Sequence, residues 1–338
     1  MSFARGIGGR ASGRRLLQGV VTGGAGFSGN FGALFTGVIQ YLRTDLGLVE
    51  FATLYHTAGS GPAITFSGTR SGVAVPIWVT CTLGGALGVW TGSVSYDEGS
   101  TQSQTFTSAA TVALTGAGAG LTLNIVGGTA VLADVWKATA STLADQSGGG
   151  INVAAGGTSG FGLITKGLTS HAGVASDNVA GALYGTNALP AFPVPTTTPT
   201  FYWAVMRMLG ASAAVGAVWS DGTSRFQCYQ NASTNLNMFN SSTVGPTTAV
   251  AGSWGRLEES FVGTTSSYIK FGSAAAAVGD CGNNAGNLNQ GIFAQPGGSN
   301  AAFTEILCRV VLNNVPSGAQ LAAAAAAAQS FYGGTVAI

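Results

Sequence analysis

Charge is what this sequence has least of. Asp, Glu, Lys and Arg make up only 7% of 338 residues, against about a quarter in an ordinary soluble domain. The formal balance of +1 gives no global field to draw the chain to nucleic acid or to an anionic membrane. Histidine is scarcer still, with only His56 and His171. No GxSxG elbow accompanies them, so no nucleophile–base pair can be drawn. The four cysteines, Cys81, Cys228, Cys281 and Cys308, show no CxxC spacing, so no zinc site is expected. One disulfide is possible, but nothing in the spacing demands it. Glycine-rich pieces such as GGAGFSG (23–29) lack the Lys of a phosphate loop.

Paired carboxylates for sugar hydrolysis are also missing. Glu258 and Glu259 are adjacent in a strand-like run, so they point to opposite faces. Asp97-Glu98 falls in a turn and reads as a solvated tip, while Asp221 and Asp280 are too isolated to suggest calcium. No enzymatic activity, metal or cofactor is therefore expected.

The charges that exist are unevenly placed. Arg5, Arg10, Arg14 and Arg15 precede the first acid, Asp45. A basic arm of this kind docks on an acidic neighbour or on phosphates. Without interleaved aromatics, nucleic acid is not the expected partner. Residues 16–42 carry no charge, yet they hold seven glycines with Gln18, Asn30 and Gln40, which is poor material for a membrane span. The pair Arg14-Arg15 loosely matches a twin-arginine signal without its full pattern.

What is abundant is Gly, with 54 residues, alongside Ala, Thr, Ser and Val. Short strands joined by Gly-rich turns suit that composition. Within residues 1–58, an assembly arm, Phe31, Leu34, Phe35, Val38, Ile39 and Leu42 recur at helical spacing and predict a helix over about 32–44. Two readings stand for Phe31 and Phe35: packing against the chain's own next domain, or contact with another subunit. Residues 59–141 read as a small β-sandwich built from ITFSGT, VPIWVTCTL, GSVSYDEG, TVALTG, LTLNIVGG and VWKAT, with Trp78, Trp90 and Trp136 filling its core. Residues 142–338 read as a larger β domain. Its last strand, ILCRVVL (306–312), is followed by Ser317 with Gln320 as a capping box, seven alanines at 322–328, and Gly333-Gly334 as the stop.

Several stretches of that last domain are similar to a laminin-G/concanavalin-A-like jelly roll found in tailed-bacteriophage structural proteins. They are ADQSGGG (144–150), FYWAVMRM (201–208), SRFQCYQNASTNLNMF (224–239), GSWGRLEESFVGTTSSYIKFG (252–272) and the strand–helix close ending in Phe331-Tyr332-Gly333. Residues 62–140, with the GGALG turn and the LTLNIVGG strand, resemble a small β module of the same kind of protein. The resemblance implies a mostly β chain: an N-terminal arm with a short helix, a small β-sandwich, then a jelly roll with a C-terminal Ala-rich helix. It implies a virion structural protein, decorating the capsid or associated with the head, whose partners are other virion proteins and copies of itself. The alternative is a tail or fibre adhesin binding host glycans, with a secreted surface protein as a third class. Glycan-contact candidates are Trp219, Tyr229, Asn231, Trp254 and the Asn-rich loop 283–289. The competing reading makes both tryptophans core and the asparagines turn residues.

Overall fold

A computed structural model of the chain describes residues 29–58, 61–70, 72–156, 159–169, 171–177, 183–188, 200–211, 215–221, 226–231, 233–263, 265–283, 289–294 and 302–337. The four N-terminal arginines, Arg5, Arg10, Arg14 and Arg15, lie outside the described residues.

The chain is mostly β, as the strand-and-turn pattern predicts. A front sheet runs in the order Leu163–Leu168, His171–Ala175, Thr304–Leu312, Thr200–Met208, Trp254–Phe261, Ser267–Phe271, Ala277–Gly279, with Val38–Arg43 also pairing to Thr304–Leu312. A back sheet of nine strands faces it, from Leu48–Glu50 and Ala140–Leu143 at one end to Asn235–Phe239 and Thr243–Thr248 at the other. Every named pairing in both sheets is antiparallel, which gives the jelly-roll-like sandwich.

The two central front strands are buried on both faces. In Thr200–Met208, Tyr202, Ala204, Met206 and Met208 point into the sandwich core. Phe201, Trp203 and Val205 point the other way, under the helix Gly318–Tyr332. Alternation with a period of two thus serves two cores. The helix begins as its sequence demands. The Ser317 side chain accepts from the Gln320 amide, and the Ser317 amide donates to Gln320 Oε1 at 2.9 Å. Ala324, Ala327 and Ala328 are buried against the sheet. Their methyl groups keep the helix axis close to the Trp203 ring system, where larger side chains would hold it away.

Residues 29–43 correct the first expectation. The periodicity predicts a helix over about 32–44, but only Phe31–Leu34 is helical, as one 3-10 turn capped by Asn30. Gly37 at φ +68° then breaks the turn, and Val38–Arg43 runs as a strand, with Leu42 opposite Arg309. Val38 and Ile39 are β-branched, and hydrogen bonding to a ready sheet edge outweighs a marginal local helix preference.

The expected boundaries at 58/59 and 141/142 also shift. Residues 38–50 supply strands to both sandwich sheets. Leu48–Glu50 pairs with Ala140–Leu143, and the small β module is inserted between them. Its main sheet joins Tyr55–Ala58, Val135–Lys137, Trp78–Leu83, Thr91–Ser95 and Gln104–Thr107, and a second joins Ile64–Gly68, Leu121–Ile125 and Thr111–Ala113. Trp90 and Trp136 fill the module, stacked at 5.8 Å with Phe106 on edge. Trp78 does not fill the core as expected. It is half-buried, with Lys137 Nζ 3.9 Å from its ring.

The ADQSGGG turn has a physical reason. Asp145 Oδ1 accepts from the Tyr41 and Ser147 amides at 2.9 Å, and Oδ2 accepts from the Ile151 amide at 3.0 Å. One carboxylate closes the turn and ties it to the Val38–Arg43 strand. The four cysteines are all buried free thiols.

Candidate functional site

The sandwich interior holds a charged network, built where the two sheets meet. Arg309, on a front strand, donates from Nη1 to Gln290 Oε1 of the back sheet at 2.9 Å and from Nη2 to Gln40 Oε1. Gln290 Nε2 donates to the Tyr202 hydroxyl at 2.9 Å, and Gln40 Nε2 to the Ile151 carbonyl at 2.7 Å. The guanidinium lies 5.6 Å from the centre of the Trp219 ring, which donates from Nε1 to Glu259 Oε2 at 2.8 Å. Burial pushes the Glu259 carboxyl up to about 8, against the pull of Cys228, Trp219 and Arg309. Burial also brings Arg309 down to about 10. A void bordering this region, about 20 Å³ between the sheets, is lined mostly by apolar side chains and is too small for a ligand. The network ties the two sheets together and offers no open site.

The glycan-contact candidates do not come together. Trp219 is fully buried inside the sandwich, and Trp254 is buried in the core on the helix side of the front sheet. Neither ring can serve as a sugar platform, which corrects that expectation. Tryptophan has the largest apolar surface to remove from water, and each ring faces a core, one between the sheets and one under the helix. Tyr229 is half-buried with its hydroxyl 3.3 Å from Thr243 Oγ1. Asn231 closes a turn, accepting from the Ser233 amide at 3.2 Å. Of the Asn-rich loop, residues 284–288 lie outside the described residues.

Phe31 and Phe35 are claimed by the chain itself, which corrects their assignment as assembly contacts. Phe31 stacks on Tyr332 at 5.6 Å and tilts against Trp203 at 5.2 Å, while Phe35 meets Trp203 at 5.8 Å. Together they pin the C-terminal helix onto the sheet. Beside them, Arg43 forks onto Asp45 at 2.6 and 3.1 Å. Asp45 Oδ2 lies 2.8 Å from His171 Nδ1, whose ring packs on Phe331 at 4.2 Å. Glu258 and Glu259 point to opposite faces of their strand, as their adjacency requires. Glu258 pairs with Arg256 at 2.6 Å.

An open site lies elsewhere, where the small module meets the sandwich. A cleft of about 410 Å³ is bordered by Glu50 and Phe51 on one side and by Phe66, Thr69 and Arg70 on the other. Two glycines allow that wall to form. A side chain on Gly68, at φ +90°, would meet the Gly120 carbonyl at 2.2 Å, and one on Gly120, at φ +92°, would meet the Thr69 carbonyl at 2.3 Å. The Arg70 side chain is only 4% exposed, and Nη2 donates to Glu50 Oε1. Its Nε and Nη1 are shielded from solvent and make no hydrogen bond among the described residues. Burial lowers the Arg70 pKa. Sequence reasoning missed this site. Its one available signal was that Glu50 and Arg70 are rare charges in glycine-rich, apolar surroundings.

No family model matches the chain, and no curated protein matches it in sequence. Solved structures similar to it include a GH54 α-L-arabinofuranosidase, at 12% identity over 87% of this chain and 63% of that one, with a TM-score of 0.47. Another is a mutant Trypanosoma rangeli sialidase displaying trans-sialidase activity, at 8% identity over 54% and 30% of the two chains, with a TM-score of 0.37. A third is the binding domain of botulinum neurotoxin serotype G, at 8% identity over 56% and 49%, with a TM-score of 0.38. This chain spans between about a third and under two thirds of those chains. The first two are enzymes, which overturns the expectation that no enzyme is at issue here. A β architecture of this kind gives no ground for setting catalysis aside. The resemblance is one of fold.

Proposed function

We propose that this chain is a structural protein of a tailed-bacteriophage virion, exposed on the capsid or associated with the head. The observation that carries the reading is an exposed apolar patch on the small module. Leu83, Val89, Val131 and Leu132 are between 54% and 65% exposed. They surround the paired strands Gly85–Ala86 and Thr129–Ala130. A side chain on Gly84 would meet Val131 Cα at 3.5 Å and the Leu132 amide at 3.2 Å, so the patch is continuous across the pairing. Exposed contiguous apolar surface marks a protein–protein contact. In a chain with so few charges it favours repeated neighbours, and symmetry multiplies each weak contact.

Antibody against the sandwich, imaged on particles purified from the source, tests the proposal. Label spread over heads is expected. Label on tails alone would move the chain to a tail or fibre adhesin, and no label on any particle would sink the virion reading. The adhesin reading is favoured by one observation, the open cleft beside Arg70.

A further inference from the structure

The back sheet ends at Leu48–Glu50, which has a partner strand, Ala140–Leu143, on one side only. Hydrogen bonding shows which backbone groups this leaves over. The Phe51 amide donates to the Thr139 carbonyl at 2.7 Å, and the Gly47 carbonyl accepts from the Ala144 amide at 3.2 Å. Alternate residues of an antiparallel strand bond to the same side, so Gly47, Val49 and Phe51 all turn toward Ala140–Leu143. Leu48 and Glu50 turn their amides and carbonyls outward. Ala52 shares that outer side, where its carbonyl accepts from the Phe66 amide at 2.7 Å. Past this bond the two chains part. Ile64–Gly68 pairs onward with Leu121–Ile125 and ends at Gly68, at φ +90°. Among the described residues, no strand pairs with the outer side of Leu48–Glu50.

The cleft of about 410 Å³ lies in that gap. Five consecutive residues, Leu48, Val49, Glu50, Phe51 and Ala52, border it. Side chains of a strand alternate between faces, so a cleft over one face would meet every second residue. A cleft that meets all five runs along the edge, where the backbone is. Exposed edges are commonly blunted by lysine or proline. This one has neither, Val49 is 52% exposed, and Arg70 neutralises the charge of Glu50.

The chemistry of the gap selects its occupant. Outward amides and carbonyls on every second residue match the pattern of another extended backbone. Leu48, Phe66 and Leu121 at the walls disfavour a charged segment. The second wall, from Phe66 to Arg70, stands across the gap, so it suits one segment rather than the edge of a second folded sheet. We infer that Leu48–Glu50 takes up an extended, uncharged segment of a partner polypeptide by strand addition in this cleft. The inference does not rest on the virion reading, and its failure would leave that reading untouched.

Amide hydrogen exchange on the full chain, read by NMR, tests it. In the free protein the Leu48 and Glu50 amides should exchange faster than those of Val49 and Phe51. The probe peptide acetyl-Thr-Val-Thr-Val-Thr-amide should bind with a dissociation constant of roughly 1 mM or below, and should slow exchange at Leu48 and Glu50. The same peptide N-methylated at every residue should not bind. Leu48→Pro removes an outward amide and no bond to Ala140–Leu143, so it should weaken binding about tenfold. Circular dichroism establishes that the variant is folded, and the N-methylated control serves if it is not. Equal protection of all four amides in the free protein, no peptide binding, or equal binding by the N-methylated peptide or the folded variant would each overturn the inference. Protection of Leu48 and Glu50 that grows with protein concentration alone would overturn it too, by placing a second copy there.

Discussion

The two faces of the front sheet solve burial in opposite ways. Facing the back sheet, Tyr202, Arg309, Glu259, Gln290 and Gln40 form a fully buried polar network. Facing the helix, Trp203, Phe201 and Val310 meet Phe31, Tyr332 and a row of alanine methyls. Neighbouring residues on one strand, Tyr202 and Trp203, therefore belong to different kinds of core. The polar face fixes which strands meet, because Arg309, Gln290 and Trp219 each donate to a particular acceptor on another strand. The apolar face fixes distance, because small side chains bring the helix close. Orientation and spacing are set by separate surfaces of one sheet.

The largest test of that contrast is Arg309→Ala. Removing one member of a buried charged network leaves its partners unsatisfied and should cost about 3–5 kcal/mol, read as a lower denaturant midpoint. On the helix face, Ala328→Leu adds bulk to a close contact and should cost about 1–3 kcal/mol, with the helix loosened before the sandwich in hydrogen exchange. The polar face should also respond to pH while the helix-to-sheet packing does not. The folded-state pKa of Glu259 is about 8, above its ordinary 4.5. The folded chain therefore holds a proton that the unfolded chain releases. Its contribution to stability is complete below about 4.5 and is lost as pH rises through about 8. Urea melts from pH 4 to 9 should show the decline, and Glu259→Gln should flatten part of it. A wild type with pH-independent stability would count against a buried ionisable interior. The smallest effect belongs to the helix start, where Ser317→Ala should cost about 1 kcal/mol by removing the cap.

Much of the architecture was legible in the residues. The LTLNI stretch forms the strand Leu121–Ile125, buried at every second residue, and Ser317 with Gln320 announces the helix. Residues 38–43 were not legible, because Val38, Ile39 and Leu42 fit either period and only the exposed edge of Thr304–Leu312 chooses the strand. The insertion of the small module was hidden for a similar reason, since Leu48–Glu50 and Ala140–Leu143 pair across some ninety intervening residues. Between the two readings open for Trp219 and Trp254, strand parity chooses the core for both, placing Trp219 inside the sandwich and Trp254 on the helix side of the front sheet. Glu50 and Arg70 are separated by twenty positions and share no local pattern, so nothing in the sequence marks them as one site.

By itself, then, the sequence determined what depends on near neighbours: strand periods, glycine turns, the capped alanine helix and a surface poor in charge. Tertiary structure decided what depends on distant partners. It assigned Phe31 and Phe35 to the chain's own helix face, set Arg309 among its acceptors between the sheets, and opened the cleft between Glu50 and Arg70. The physical reason is range. Backbone preference and side-chain alternation act over a few residues, whereas burial and hydrogen-bond pairing are settled only when segments far apart in the chain meet.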